Sequence, residues 1–439
     1  MVAQNEAANW YFGQNAGITF DDSGNLVGAV NDGLLETLEG CTSISDVDGN
    51  LLFYTDGNIV YNRNHQLMPN GTGLFGDSSS TQSALVVPQP GSDSIYFIFT
   101  VDSAATDGID EGFNYSVVDI TLDGGLGDII SKNSPLLNKC SEKITAVLKD
   151  CGSGSIWVIT LAAQNGNGGI FNTYHAFEVT TTGVNTTSVK STFPINIGDP
   201  RGQIKVSPNG EKFISANMQN GLYLYDFDAN TGTLSNQQSL IIVSTSPSPY
   251  GVEFSPNSSL MYLTASNNAG GGNSFSSLYQ FDLTATDIPN SGLELDSRPG
   301  YRGALQLGID GKIYNGFVKG DLLLLGSDRG SYQLKLADII AQTNRVEAIE
   351  LKSILVNGAN TVWNAGEKLQ LAANENSLEL QLGTNKHPYP QKLAYSYRLN
   401  ETQQWLPMED TDLSLPLLDS GAYKLYIKVT DASTGFTVD

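Results

Sequence analysis

Residues 43–71, "SISDVDGNLLFYTDGNIVYNRNHQLMPNG", admit two readings. Asp46, Asp48 and Asn50 alternate as at the start of a calcium loop. The same letters also spell strand, tight turn, strand. A calcium loop of the EF-hand type needs Gly at its sixth position and a bidentate Glu at its twelfth. Counted from Asp46, those positions are Leu51 and Gly57. Gly49 stands fourth instead, where a hairpin turn wants a residue that tolerates positive φ. The hairpin is the better reading, and it predicts no metal at this turn.

The pattern recurs. Turns beginning near residues 48, 91, 151, 209, 257 and 310 each lead into an apolar, β-branched run: "NLLFYT", "SIYFIFTV", "SIWVITLA", "KFISAN", "LMYLTAS" and "KIYNGF". Spacings of 43 to 60 residues are roughly those of a four-stranded blade. Each unit adds a strand before its turn ("SALVVPQP", "KITAVLKD", "GQIKVSPN") and another after the run ("NYSVVDITL", "LYLYDFD"). Helical periodicity is almost absent, "LKLADIIAQ" (334–342) being the one short candidate.

These signals predict an all-β chain, with a six- or seven-bladed β-propeller over residues 8–345. "NWYFGQNAGITFDDSGNLVGAV" supplies a seventh blade or completes the last one. After about residue 345 longer alternating strands such as "YSYRL" and "YKLYIKV" appear. They predict a small Ig-like β-sandwich over residues 346–439.

Composition narrows the function. The 439 residues hold 23 basic and 46 acidic side chains, a formal charge of −23. Such a surface repels phosphate backbones and anionic lipid, so nucleic acid is discounted as a partner. No run of about 18 apolar residues spans a membrane in this stretch. The polar start after Met1 reads as a mature N-terminus, and the whole as an ectodomain fragment of a longer protein. Cys140 and Cys151 flank "SEKITAVLKD" and either pair across it, as suits an extracytoplasmic protein, or stay reduced and buried; Cys41 reads as a small core residue.

Several segments resemble a known family. "NWYFGQNAGITF", "LEGCTSISDVDGNLLFYTDGNIVYNRNHQLMPNG", "SSSTQSALVVPQPGSDSIYFIFTVD", "IKVSPNGEKF", "YGVEFSPN" and "LQLGIDGKIY" resemble the N-terminal propeller of Bacteroidetes surface proteins associated with gliding motility and type IX secretion. "LAYSYRLNETQQW" and "LPLLDSGAYKLYIKV", with Tyr395, Tyr397, Trp405 and Tyr423, look like a triple-tyrosine domain, which in that family lies just outside the membrane in sensor proteins. The resemblance implies a cell-surface or secreted location and a glycan, peptide or protein partner.

Chemistry-bearing motifs are sparse. His65, His175 and His387 lack metal spacing, and neither a G-x-S-x-G elbow nor a phosphate-binding Gly-Lys loop occurs. No cofactor is expected. The first expectation is a non-enzymatic extracellular interaction module. Its alternatives are a ligand-sensing ectodomain and a glycan-active hydrolase, since carboxylate pairs need only meet in space. Candidate ligand contacts are loop residues: Asn62, Arg63 and His65 in "YNRNH", Gln82 in "SSSTQS", Arg201 in "GDPRGQ", and Tyr301 and Arg302 in "PGYRGA". The two arginines each precede Gly at the start of a unit's first strand, so they are expected at one channel mouth, free to fork onto an anion or paired with acidic neighbours.

Overall fold

The computed structural model describes residues 5–21, 23–103, 109–150, 152–243, 247–267, 275–299, 301–318, 322–327, 330–335, 349–361, 368–372, 377–384, 393–408, 411–416, 418, 421–431 and 437–438. Some of these, including 301–302 and 316–335, are described by backbone alone. The chain divides into two compact units, Met1–Leu336 and Ala337–Asp439. Among the described residues the only helices are three single 3-10 turns, Asn5–Ala7, Asp123–Gly125 and Ile288–Asn290. Most of the short helical candidate at 334–342 lies outside the described residues.

Among the described residues the first unit is a series of seven antiparallel sheets, lying within residues 9–30, 42–72, 84–137, 144–197, 204–240, 247–299 and 301–335. The first sheet has three strands; the others are built on four or, in the fourth, five. Strands follow one another in chain order across each sheet, with the fourth sheet branching at its outer side. The N-terminal segment therefore forms a sheet of its own. The opening strands of successive sheets touch, from Asn9–Phe12 through Thr42–Ser45, Ala84–Pro88, Ile144–Leu148, Ile204–Val206 and Pro247–Phe254 to Tyr301–Leu307.

The apolar runs explain this stacking. A strand sends alternate side chains to opposite faces, so a run without polar alternation must be covered on both. In Ile95–Val101, Phe97, Phe99 and Val101 pack toward the fourth sheet, against Val158 and Phe177, while Ile98 packs toward the second, against Phe53 and Val60. In Ile156–Ala162, Val158 and Ala162 join the former cluster, whereas Trp157, Ile159 and Leu161 meet Phe213 and Tyr225 of the fifth sheet. Ile214 and Ala216 then face Phe254 and Phe281 of the sixth. The first and seventh sheets also pack together: Trp10 and Phe20 meet the Tyr314 ring at centroid distances of 5.2 and 5.8 Å.

The turn that posed the opening question is a hairpin turn. Asp46 Oδ1 accepts the backbone N–H groups of Asp48 (3.0 Å) and Asn50 (2.8 Å), and Asn50 Nδ2 donates to both carboxylate oxygens. Gly49 takes φ +84°. Asp21 repeats the arrangement with Ser23 and Asn25. The carboxylate is turned toward its own loop's donors, which is the work of an Asx turn.

Of the expected Cys140–Cys151 pair only Cys140 is described. Cys140 is a free thiol, buried with Phe113 and Val158, and burial raises its pKa well above the ordinary value. Cys151 itself lies outside the described residues.

The second unit has two four-stranded antiparallel sheets. One contains Ile349–Val356, Ala359–Asn360, Leu378–Thr384 and Asp412–Leu415; the other contains Leu393–Arg398, Leu406–Pro407, Tyr426–Asp431 and Thr437–Val438. Tyr395 and Tyr397, two apart and so on one face, both turn inward. Tyr395 packs with Leu382 and Val429, and Tyr397 against the cluster around Ile354 and Leu380.

Candidate functional site

The opening strands of the first unit's sheets meet at an inner seam. An opening strand has a sheet neighbour on one side only, which leaves a row of backbone donors and acceptors to be satisfied. Two glutamines just ahead of such strands do so. Gln82 Oε1 accepts from Ile204 N (2.9 Å) and Ile144 N (3.3 Å), and its Nε2 donates to Ile204 O (3.3 Å). Gln203 Oε1 accepts from Val252 N and Leu305 N, both at 3.1 Å. A side-chain amide carries the same donor and acceptor as a peptide, so each glutamine reaches across the next sheet to the one beyond.

Between them stand Glu142 and Lys143, both buried. Glu142 Oε2 accepts from Thr81 N (3.0 Å) and Thr81 Oγ1 (2.9 Å), and its Oε1 accepts from Ser103 Oγ (3.0 Å). Lys143 Nζ donates to three carbonyls, Arg201 O (2.7 Å), Gly202 O (2.8 Å) and Ala216 O (2.6 Å). Burial pulls its pKa down to about 7, while the Glu142 and Asp199 charges act the other way. Gly202, at φ +109°, is required here: a Cβ on it would sit 2.4 Å from Ala216 O and 3.1 Å from Lys143 Nζ. The acid and the base most plausible for chemistry at this seam are thus committed to hydrogen bonds between sheets.

Nearby, Asp102 holds the N–H groups of Ser103 (2.7 Å) and Glu111 (2.6 Å). Burial, with Asp77 and Asp110 adding their charge, still raises its pKa to about 6 against those two bonds. Among the described residues no group of three His, Cys, Asp or Glu side chains is arranged to hold a metal ion.

The arginine expectation resolves on one side. The half-buried Arg201 forks onto Asp199, with Nε to Oδ1 at 2.8 Å and Nη2 to Oδ2 at 2.6 Å. Burial alone would raise the Asp199 pKa, but the Arg201 bonds and charge bring it below the ordinary carboxylate value. The pairing with an acidic neighbour is what the sequence-level alternative described. Tyr301 and Arg302 lie in the strand Tyr301–Leu307, but their side chains are outside the described residues.

Asn62, Arg63 and His65 share the hairpin turn of the second sheet, away from the seam residues Gln82 and Arg201. Asn62 is buried, and its Oδ1 accepts from Asn64 N (3.0 Å) and Gln66 N (3.1 Å), so it shapes the turn. Arg63 is exposed. His65, at φ +56° and with its side chain 24% exposed, joins a chain of polar groups linking the first and second sheets. Leu34 N donates to Tyr54 Oη (3.1 Å), which lies 3.1 Å from His65 Nδ1. His65 Nε2 lies 3.3 Å from Asp32 Oδ2, and Tyr11 Oη donates to Asp32 Oδ1 (3.2 Å). With Nε2–H directed at Asp32 and Nδ1 accepting from Tyr54, every member has a partner, a tautomer assigned from the network itself. Tyr11 and Tyr54 stack at 4.5 Å, and Tyr54 and Tyr61 at 5.4 Å. Burial, its largest influence, drives the Tyr54 pKa far above the usual phenol value, so it stays a hydroxyl rather than a nucleophile.

Tyr54→Phe tests the chain. It leaves the Leu34 N–H and the His65 Nδ1 without their partner and is expected to lower unfolding stability by about 2 kcal/mol in urea titrations.

Sequence reasoning missed Glu142, Lys143, Gln203, Asp32 and Tyr54. For the seam residues a signal existed. Aligning "STQSALVV", "SEKITAV" and "RGQIKV" on their strand starts puts a polar or charged residue where an inner strand must be buried.

No family model matches the chain, and no curated protein matches it. Solved structures with a similar course include the extracellular domain of a candidate hybrid two component system from B. thetaiotaomicron, at 15% identity and a TM-score of 0.34, covering 98% of this chain and 54% of that one. Another is the extracellular domain of a candidate one component system from the same organism, at 13% identity and a TM-score of 0.35, covering 90% and 55%. A third is a candidate 6-phosphogluconolactonase from Bacteroides fragilis, at 12% identity and a TM-score of 0.38, covering 85% and 93%. The chain spans about half the length of the two extracellular domains. At these identities and scores the likeness carries no argument about activity or ligand.

Proposed function

We propose that Met1–Leu336 is a seven-bladed β-propeller and that the chain is a non-enzymatic, extracytoplasmic interaction module of a bacterial cell-surface or secreted protein. It binds a glycan, peptide or protein partner through propeller loops. The ring reading is supported by seven sheets whose opening strands touch in series and whose first and last sheets pack through Trp10, Phe20 and Tyr314. The surface-protein context comes from the sequence resemblance alone.

The observation that carries the non-enzymatic reading is the saturation of Glu142 and Lys143. All three ammonium N–H groups have carbonyl acceptors and both carboxylate oxygens have donors, in a buried seam. A general acid or base must instead reach a substrate atom. The contact surface we favour is the turn at residues 63–66, where exposed Arg63 stands near a partly exposed His65 whose ring lies against Tyr11 and Tyr54. Rigid sheets holding a polar, aromatic-floored loop suit recognition.

The test is a panel of immobilised polysaccharides and peptides, scored for both retention and turnover. Retention without product release, weakened by Arg63→Ala, is expected. Reducing-sugar release that Glu142→Gln abolishes would replace this reading with the hydrolase.

A further inference from the structure

The second unit carries an outward sheet face set with cations and aromatic rings. On Leu393–Arg398 and Tyr426–Asp431 the inward residues are Tyr395, Tyr397, Ile427 and Val429. The alternate positions, Ser396 and Arg398 paired with Lys428 and Tyr426, therefore face away from that core. Arg398 lies between two rings, its guanidinium carbon 4.6 Å from the Trp405 centroid and 4.9 Å from that of Tyr426. Lys428 Nζ stands 4.6 Å from the Trp405 centroid and Lys424 Nζ 4.8 Å from that of Tyr426. The rings thus hold three cations in a row, with Glu401 as the acidic neighbour, near Lys424 at 3.6 Å. Arg398 Nε is shielded and has no hydrogen-bond acceptor among the described residues.

The complementary surface is on the first unit, which has 15 basic against 33 acidic residues, a formal −18. Its hairpin turns gather at one end of the stacked sheets: Gln89 Nε2 donates to Thr181 O, Trp157 Nε1 to Ala229 O, and Asn209 N to Ser258 Oγ. Asp48, Asp93, Asp119, Asp150, Asp228 and Asp282 all sit at that end. In Asp119, Asp150, Asp228 and Asp282 hydrogen bonds from the turn hold the carboxyl below its ordinary pKa. They stay ionised well into acid.

We infer that the Arg398–Lys424–Lys428 face docks on the acidic turn end of a second copy of this chain, in a head-to-tail contact. Single exposed ion pairs contribute little, so the attraction depends on several acting together. At 0.1 M salt the Debye length is about 10 Å, which screens the repulsion of two −23 chains more than it screens contact pairs. Head-to-tail contacts use different patches on the two partners and need not close, so assembly continues past the dimer.

Analytical ultracentrifugation of the full chain at about 100 µM tests this, the range in which a weak interface is populated. At 100 mM NaCl the weight-average mass is expected to rise with concentration above the 47.0 kDa monomer, and at 500 mM NaCl to return to it. Lys424→Glu with Lys428→Glu, and separately Asp48→Lys with Asp93→Lys, alter exposed or half-exposed side chains and should each give monomers. Mixed one to one, the two variants keep one intact patch each and should form a dimer and nothing larger. Monomers under every condition, association indifferent to salt or to either pair of changes, or an inert mixture would overturn the inference. So would a monomer whose cationic face captures polygalacturonate instead.

Discussion

Lys143→Ala is expected to destabilise the first unit by about 4 kcal/mol, the largest loss available at any polar residue of the seam. The substitution removes three donors at once from Arg201 O, Gly202 O and Ala216 O, all in buried surroundings. It also leaves the buried Glu142 without its neighbouring positive charge. Lys143→Met keeps the volume and stem and isolates the loss of the ammonium. The same residue sets a pH dependence. Its pKa is about 7 in the folded chain, against about 10.4 in an unfolded one, so between those values the unfolded chain binds more protons. Unfolding free energy therefore gains a contribution that rises from pH 7 toward pH 10 and is lost as pH falls through 7. Urea midpoints of the wild type and Lys143→Met at pH 7 and pH 9 check this: the gap between the two proteins should widen at the higher pH. A gap that narrows would mean that the three carbonyls and Glu142 outweigh burial and hold the folded pKa above the unfolded one.

Gln203→Ala is the second large effect, at about 3 kcal/mol. Its side-chain oxygen is the acceptor for Val252 N and Leu305 N, and a buried N–H left without a partner costs about 1–3 kcal/mol. The loss falls between the fifth, sixth and seventh sheets, so the variant should open there first, with faster amide exchange in Pro247–Phe254 and Tyr301–Leu307 than in Ile95–Val101. Gln66→Ala, an exposed glutamine on the hairpin turn, serves as the control and should change stability by less than about 0.5 kcal/mol.

The sheet series was legible because the units repeat one grammar, a turn that places Gly, or Ser258 in the sixth sheet, at positive φ ahead of an apolar run. Gly49, Gly91, Gly154, Gly210 and Gly311 all adopt that backbone. The runs themselves, such as Ile95–Val101, signalled burial on both faces. The site was much less legible. Arg201 looks like a ligand contact in isolation, yet Asp199 two residues earlier occupies its fork. Gln82 looks like a polar loop residue, but its partners Ile144 and Ile204 are 62 and 122 residues away. Asp32, His65 and Tyr54 form one chain only because the first and second sheets pack together. Their spacing in sequence matches no motif.

Site-resolved hydrogen exchange at the seam tests the central claim, that buried polar side chains there tie the sheets together rather than await a substrate. The amides of Ile144, Ile204, Val252 and Leu305 should exchange as slowly as those of the core strands Ile95–Val101 and Ile156–Ala162, opening only with global unfolding. Exchange of those four amides within minutes, while the core strands remain protected, would contradict it.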